Sequence, residues 1–199
     1  MQTIDAKLKS RIYGSGRGSA FTPNDFLDLG GRAAVDKALS RLALKGTIRR
    51  LARGLYEYPR THSELGMLAP DIEKVAKALA GKDRIRLQPA GAYATNLLGL
   101  SEQVPAKVVF LTDGTSRTVK FGRQEIQLRH TTMKNMAASG KLSGLLIQAL
   151  RHLGKEHITP ARVEHLKRTL PAKERQQLLR DIPLAPAWMH PLFRKLAGT

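Results

Sequence analysis

The sequence predicts an α+β protein, and three observations carry that prediction. From Ile4 to Leu44 apolar residues recur at helical spacing. Short β-prone runs joined by glycine turns follow directly and return between residues 107 and 130. The C-terminal third goes back to helical spacing, rich in leucine.

Ile4, Leu8 and Ile12 recur every four residues, so a first helix covers Ile4–Tyr13. The run Gly14-Ser15-Gly16-Arg17-Gly18-Ser19 ends it. This run follows a helix rather than a strand and lacks the Lys-Ser/Thr of a P-loop. It reads as a connector whose amides, with Arg17, can meet a phosphate. Thr22 caps a short helix with Pro23 at its first position and Asp25 in its first turn. Gly30-Gly31 makes a turn. A second helix then runs from Arg32 to Leu44 and stops at Gly46.

At 100° per residue, Val35, Ala38, Leu39 and Leu42 share one face of that helix, the core face. Ala33, Asp36, Lys37, Ser40 and Arg41 fall on the other. Thr47–Leu51 and Leu55–Tyr58 are two β-prone runs joined through Ala52-Arg53-Gly54. Helix, turn, cationic helix and arginine-rich hairpin together predict an N-terminal winged helix-turn-helix over residues 1–60. The candidate DNA contacts are Arg32, Ala33, Lys37, Ser40, Arg41 and Lys45 on the helix, Arg49, Arg50 and Arg53 on the hairpin, and Arg17 before it.

Pro59–Ser63 reads as a linker, and residues 65–199 as a second α+β domain. Its helix begins at Pro70-Asp71, turns Val75, Ala76 and Leu79 inward, and ends at Gly81. A strand spans Arg84–Gln88 and a small-residue helix spans Ala90–Leu98. Strands Lys107–Thr112, Arg117–Phe121 and Gln124–His130 complete a small antiparallel sheet with flanking helices. Gly122-Arg123 suits a type II′ turn. Helices then start near Lys141, Thr159 and Pro171, and a proline-rich tail carries Trp188.

The chain of 199 residues has formal net charge +18 and 42% hydrophobic residues. The hydrophobic content supports a globular core, and the charge predicts a polyanionic partner. Residues 1–60 carry 12 Lys and Arg against five Asp and Glu, and the rest 22 against 11, so both parts are basic. No apolar run approaches a membrane span, and the N-terminus lacks a signal-peptide core. No cysteine is present, which excludes disulfide and thiol chemistry. A cytoplasmic protein without a membrane partner is expected.

Enzyme chemistry is not expected. The six histidines form no His-Glu-x-x-His pair, and no cysteine completes a zinc site. No Gly-x-Ser-x-Gly elbow occurs. Gly114-Thr115-Ser116 starts like a nucleotidyltransferase motif, but no Asp-x-Asp follows to hold two metals. No catalytic residue, metal or cofactor is assigned.

Several segments resemble the AbiEi-like antitoxins of type IV, abortive-infection, toxin–antitoxin systems. They are Phe21–Phe26, Val35–Leu42, the string Gly46–Pro59 with its hairpin Arg49-Arg50-Leu51-Ala52-Arg53-Gly54-Leu55-Tyr56, the block Leu87–Leu100 that opens Leu87-Gln88-Pro89-Ala90-Gly91-Ala92-Tyr93, and the strand Val108–Gly114. The resemblance covers roughly residues 1–135. It implies a winged helix that represses its own operon at an operator with inverted repeats. It also implies a second domain that neutralises a nucleotidyltransferase-like toxin. The strongly basic second half departs from what an antitoxin needs, unless its toxin surface is acidic or this half also meets DNA. The alternative is a plain winged-helix regulator whose second domain binds a ligand or dimerises.

Overall fold

The computed structural model describes residues 3–81 and 85–198. The chain divides into two compact units, Met1–Ile85 with Val119–Arg123, and Arg86–Thr118 with Gln124–Thr199. The N-terminal unit thus runs past the linker expected at Pro59–Ser63.

In the N-terminal unit, α1 (Ile4–Gly14) is capped by Thr3, whose Oγ1 accepts from the Ala6 N–H at 3.3 Å. Its Leu8 and Ile12 are buried. Strand β1 (Ala20–Phe21) follows. It is two residues long, too short to show a period, and the sequence does not predict it. The expected short helix is a 3₁₀ turn, Pro23–Phe26, held by Asp25 Oδ2, which accepts from Thr22 N at 2.7 Å and Thr22 Oγ1 at 3.0 Å.

Helix α2 (Arg32–Leu44) has the expected bounds. Gly46 takes φ 68° beyond its end, and the Gly46 and Thr47 N–H groups bond the Ala43 and Leu42 carbonyls. Strands β2 (Arg49–Ala52) and β3 (Leu55–Glu57) form the expected hairpin, with a register shift between Arg50 and Ala52. β1 pairs antiparallel with the other edge of β3, giving the order β1-β3-β2. Leu8, Val35, Leu39, Leu42, Ile48 and Tyr56 meet beneath this sheet as a core. Phe21 lies edge-on to Phe26 at 5.4 Å between ring centroids.

The expected linker is not irregular. Its Thr61–His62 forms β4, which pairs with β5 (Gly66–Met67). Helix α3 (Ile72–Ala80) follows, with Val75, Ala76 and Leu79 buried as expected. It packs beside β1 in the same unit. Asp71 caps it by accepting from Glu73 N and Lys74 N.

The larger sheet contains β6 (Leu87–Ala90), β7 (Lys107–Thr112), β8 (Arg117–Phe121) and β9 (Gln124–His130), in the order β6-β7-β9-β8. The start expected for the first strand, Arg84, lies outside the described residues. β6 runs antiparallel to β7, but β7 and β9 are parallel, from Lys107↔Glu125 to Thr112↔His130. The small sheet is thus antiparallel, as expected, except for the one parallel pair. The cause is strand order. The two-residue turn sends β9 back along β8, and β9 enters between β8 and β7, where it must run with β7. Gly122 has φ 56° while Arg123, like every described non-glycine residue, avoids positive φ, which fits a type II′ turn.

Helices α4 (Gly91–Leu97), α5 (Leu142–Leu153), α6 (Pro160–Thr169), α7 (Ala172–Asp181) and α8 (His190–Ala197) complete the C-terminal unit. Leu146, Leu150, Leu166, Leu178, Phe193 and Leu196 are its centre. The proline-rich tail thus contributes core residues through α8, and Trp188 packs on the same core. Asp181 is buried and accepts from Ser143 Oγ at 2.7 Å and Lys141 Nζ at 2.8 Å, joining α7 to the start of α5.

Arg86 grips the β7–β8 turn. Its Nε donates to Asp113 Oδ2 at 2.7 Å and its backbone N–H to Oδ1 at 2.8 Å. These bonds hold the Asp113 carboxyl below its ordinary value of 3.8. A lowered folded-state value stabilises the fold at neutral pH, and the contribution disappears as pH falls below 3.8 through the folded-state value. Asp113→Asn is therefore expected to unfold at lower urea than the parent at pH 7, with the gap closing in acid. A gap constant with pH would show that the ionised carboxylate contributes nothing.

Candidate nucleic-acid interface

Helix α2 and the β2–β3 hairpin are held by one core, which fixes their outer surfaces relative to each other. Val35, Ala38, Leu39 and Leu42 are buried, so the helix must turn Ala33, Lys37, Ser40 and Arg41 to solvent. Beside it, Arg50 and Arg53 are exposed on the hairpin, and Gly54 takes φ 70° at the turn. A shallow cavity of about 540 Å³ lies where helix and hairpin meet. It is lined by Ser40, Leu44, Ile48, Arg50 and Met67, so the helix face and the hairpin border one concave surface. Leu44 is 88% exposed at its rim.

The candidate cations are not equivalent. Arg32 sits at the helix start, where its Nε donates to Asp36 Oδ2 at 2.9 Å and its Nη1 to Asn24 Oδ1 at 2.8 Å. It ties α2 to the 3₁₀ turn while remaining exposed. Arg41 donates through Nε to Asp5 Oδ2 at 2.9 Å, and a second bond makes the pair bidentate. Asp5 is held below its ordinary value, first by that hydrogen bond and then by the charges of Arg41 and Lys45. Arg41 thus spends its fork on α1.

Arg49 departs furthest from expectation. It lies at the base of the hairpin, opposite Glu57, not at the tip. Its Nε donates to Glu57 Oε2 at 2.9 Å and its Nη2 to the Leu68 carbonyl at 2.9 Å. Glu57 is 1% exposed, and among the described residues its Oε1 has no hydrogen-bond partner. A buried carboxylate needs a cation, so Arg49 serves as its structural partner. Arg17 also lies away from the hairpin turn. Its guanidinium stacks on Tyr58, 4.8 Å from the ring centroid, and Nη1 donates to the Pro59 carbonyl at 3.0 Å.

What remains is a face of Ala33, Lys37 and Ser40 with Lys45, Arg50 and Arg53 around it. Among the described residues, no carboxylate forms an ion pair with Lys37, Lys45, Arg50 or Arg53. Sequence reasoning missed Asp5 and Glu57, which remove two arginines from the free set. Their only signal was that each is an acidic residue in a strongly basic segment. Among the described residues no three His, Asp or Glu side chains come together as a metal site, and no helix is long and apolar enough to cross a membrane.

The family model described as a family of unknown function, DUF6088, matches residues 4–178, and the chain belongs to that family. No curated protein matches it.

Proposed function

We propose that the protein is a winged-helix DNA-binding regulator, with α2 as its recognition helix and the β2–β3 hairpin as its wing. The observation that supports this most is the concave surface shared by Ser40 of α2 and Arg50 of β2, where Arg50 forms no ion pair with a described carboxylate. A helix that exposes small and cationic side chains can enter a major groove, and the arginines of a flanking hairpin reach the backbone or the minor groove.

Phosphate contacts release counterions, so affinity should fall steeply with salt. Arg50→Ala with Arg53→Ala is expected to weaken all duplexes alike and to lower the log–log salt slope by about 1.8, or about 0.9 per phosphate contact. Lys37→Ala is expected to change which operator bases matter, since a good base contact contributes about 1–3 kcal/mol of discrimination. Fluorescence anisotropy with the protein's own upstream duplex checks both. Unchanged slopes and base preferences would sink this interface.

For the C-terminal unit we propose the antitoxin role, on the resemblance to AbiEi-like proteins. In this reading the protein represses its own operon at inverted repeats and neutralises a nucleotidyltransferase-like toxin. The resembling block Leu87–Leu100 contains β6 and α4, and β6 pairs with Val109–Thr112 of β7. Growth rescue on co-expression with a neighbouring nucleotidyltransferase gene tests it. Persistent toxicity despite soluble protein favours the plain regulator.

A further inference from the structure

The N-terminal unit carries a second cationic cluster that the helix–hairpin surface does not use. Lys9 Nζ stands 5.8 Å from the Tyr13 ring centroid. Tyr13 stacks on Tyr58 with centroids 5.2 Å apart and planes at 29°. Arg17 stacks on Tyr58 in turn. The result is a ladder of cation, ring, ring, cation. Arg60 adjoins it, because its side chain passes about 3.0 Å from where a Cβ would stand on Gly18. Gly18 takes φ 82°, so the loop can close on Tyr58, whose carbonyl accepts from the Gly18 N–H.

Three features of the ladder go beyond a solvated surface. First, Lys9, Arg17 and Arg60 are exposed, and among the described residues no carboxylate forms an ion pair with any of them. Second, Arg17 is already ordered by a ring and a carbonyl, so little side-chain entropy is lost when its remaining donors bind. Third, Tyr13 is 47% exposed beside Lys9, which brings a phenol into the cluster. Each ring already has two stacking partners. The cluster therefore offers charge and donors rather than a vacant ring for a base, and that chemistry suits a phosphate.

We infer that Lys9, Tyr13, Arg17 and Arg60 form a second phosphate-backbone contact for duplex DNA, separate from the α2–hairpin surface. It sits at Tyr58, just beyond the end of β3 that lies away from the Arg53-Gly54 turn. This rests on the DNA-binding reading and adds to it. The contact strengthens binding and sets orientation without reading bases.

The test is anisotropy of the full chain with its upstream duplex over a KCl series. Lys9→Gln with Arg17→Gln is expected to lower the salt slope by about 1.8 and leave the base-substitution profile unchanged. Lys9→Gln alone changes an exposed residue and is expected to lower it by about 0.9. Lys173→Gln, an exposed lysine of α7, controls for general loss of charge and is expected to leave the slope unchanged. A slope unaltered by both ladder variants, in a parent that binds duplex, overturns this inference alone. So does a slope change confined to single-stranded oligonucleotide. A parent that binds no duplex overturns the DNA-binding reading and this contact together.

Discussion

Arg49→Met is expected to destabilise the N-terminal unit by about 3 kcal/mol, because it leaves the Glu57 carboxylate buried without its cation. Glu57 is 1% exposed and among the described residues its Oε1 already lacks a partner, so no other described group stands ready to replace the guanidinium. The value lies at the low end for a broken buried pair because the Arg49 side chain is 26% exposed and water reaches that side. In a unit of this size, a loss of 1 kcal/mol moves the melting temperature by about 4–8 °C, so the shift should exceed 10 °C or so. Thermal unfolding, read with hydrogen exchange at the β3 amides, measures it.

The same experiment separates structure from recognition. Replacing both members, Arg49→Met with Glu57→Leu, removes the buried charge along with its partner, and apolar replacement of such pairs is often neutral. The double variant should recover most of the lost stability and bind DNA with the parent's salt slope. A folded double variant with a reduced slope would return Arg49 to the interface. A single variant as stable as the parent would show that water already solvates Glu57.

Gly144→Ala is expected to destabilise the C-terminal unit by about 2 kcal/mol, against the direction that helix propensity predicts. In a helix interior, alanine in place of glycine gains about 1 kcal/mol. Gly144 lies in the first turn of α5, packed against the chain at Ala138 and against the buried Gln88 side chain. A Cβ there would overlap the Ala138 carbonyl oxygen and stand 2.5 Å from Gln88 Oε1. Backbone cannot swing aside as a side-chain tip does, so over-packing costs about 1–3 kcal/mol or more and outweighs propensity. Gly14→Ala, with nothing within 4 Å of the added Cβ and no positive φ, is the control and should be neutral or stabilising. Urea unfolding of both variants decides the sign. A Gly144→Ala protein more stable than its parent would mean that the segment at Ala138 yields freely.

Gln88 belongs to the block that resembles the antitoxins, and its side chain is what Gly144 accommodates. In this structure the block builds the interior of the unit: Gln88, Ala90, Tyr93 and Ala94 are buried. Substitutions there would report on folding first. A surface for a toxin is better sought among exposed residues.

Local signals carried much of the fold. The 3.6-residue period and Gly46 set α2 from Arg32 to Leu44, and the same period assigned its buried and exposed faces correctly. An apolar run and the Gly122-Arg123 turn marked β7, β8 and β9 at their observed bounds. These features depend on a residue's relation to its near neighbours, and a sequence displays that directly. The tail was harder because Pro183, Pro186 and Pro191 mask a short helix. Pro191 is tolerated in the first turn of α8, whose Phe193 and Leu196 are buried only because other helices meet them.

By itself, then, the sequence determined the longer elements, the solvent face of α2 and the strong positive charge. Tertiary structure decided which strands are neighbours, hence the parallel β7–β9 pair, and which cations are free. Arg41 meets Asp5 across 36 positions, and Arg49 meets Glu57 across a hairpin whose register had first to be set. The physical reason is range. Helix, strand and turn preferences are energies of adjacent residues, whereas a charge is neutralised by whatever group the completed fold places within about 4 Å of it. Lys37, Arg50 and Arg53 remain available for a polyanion because no described carboxylate was folded against them.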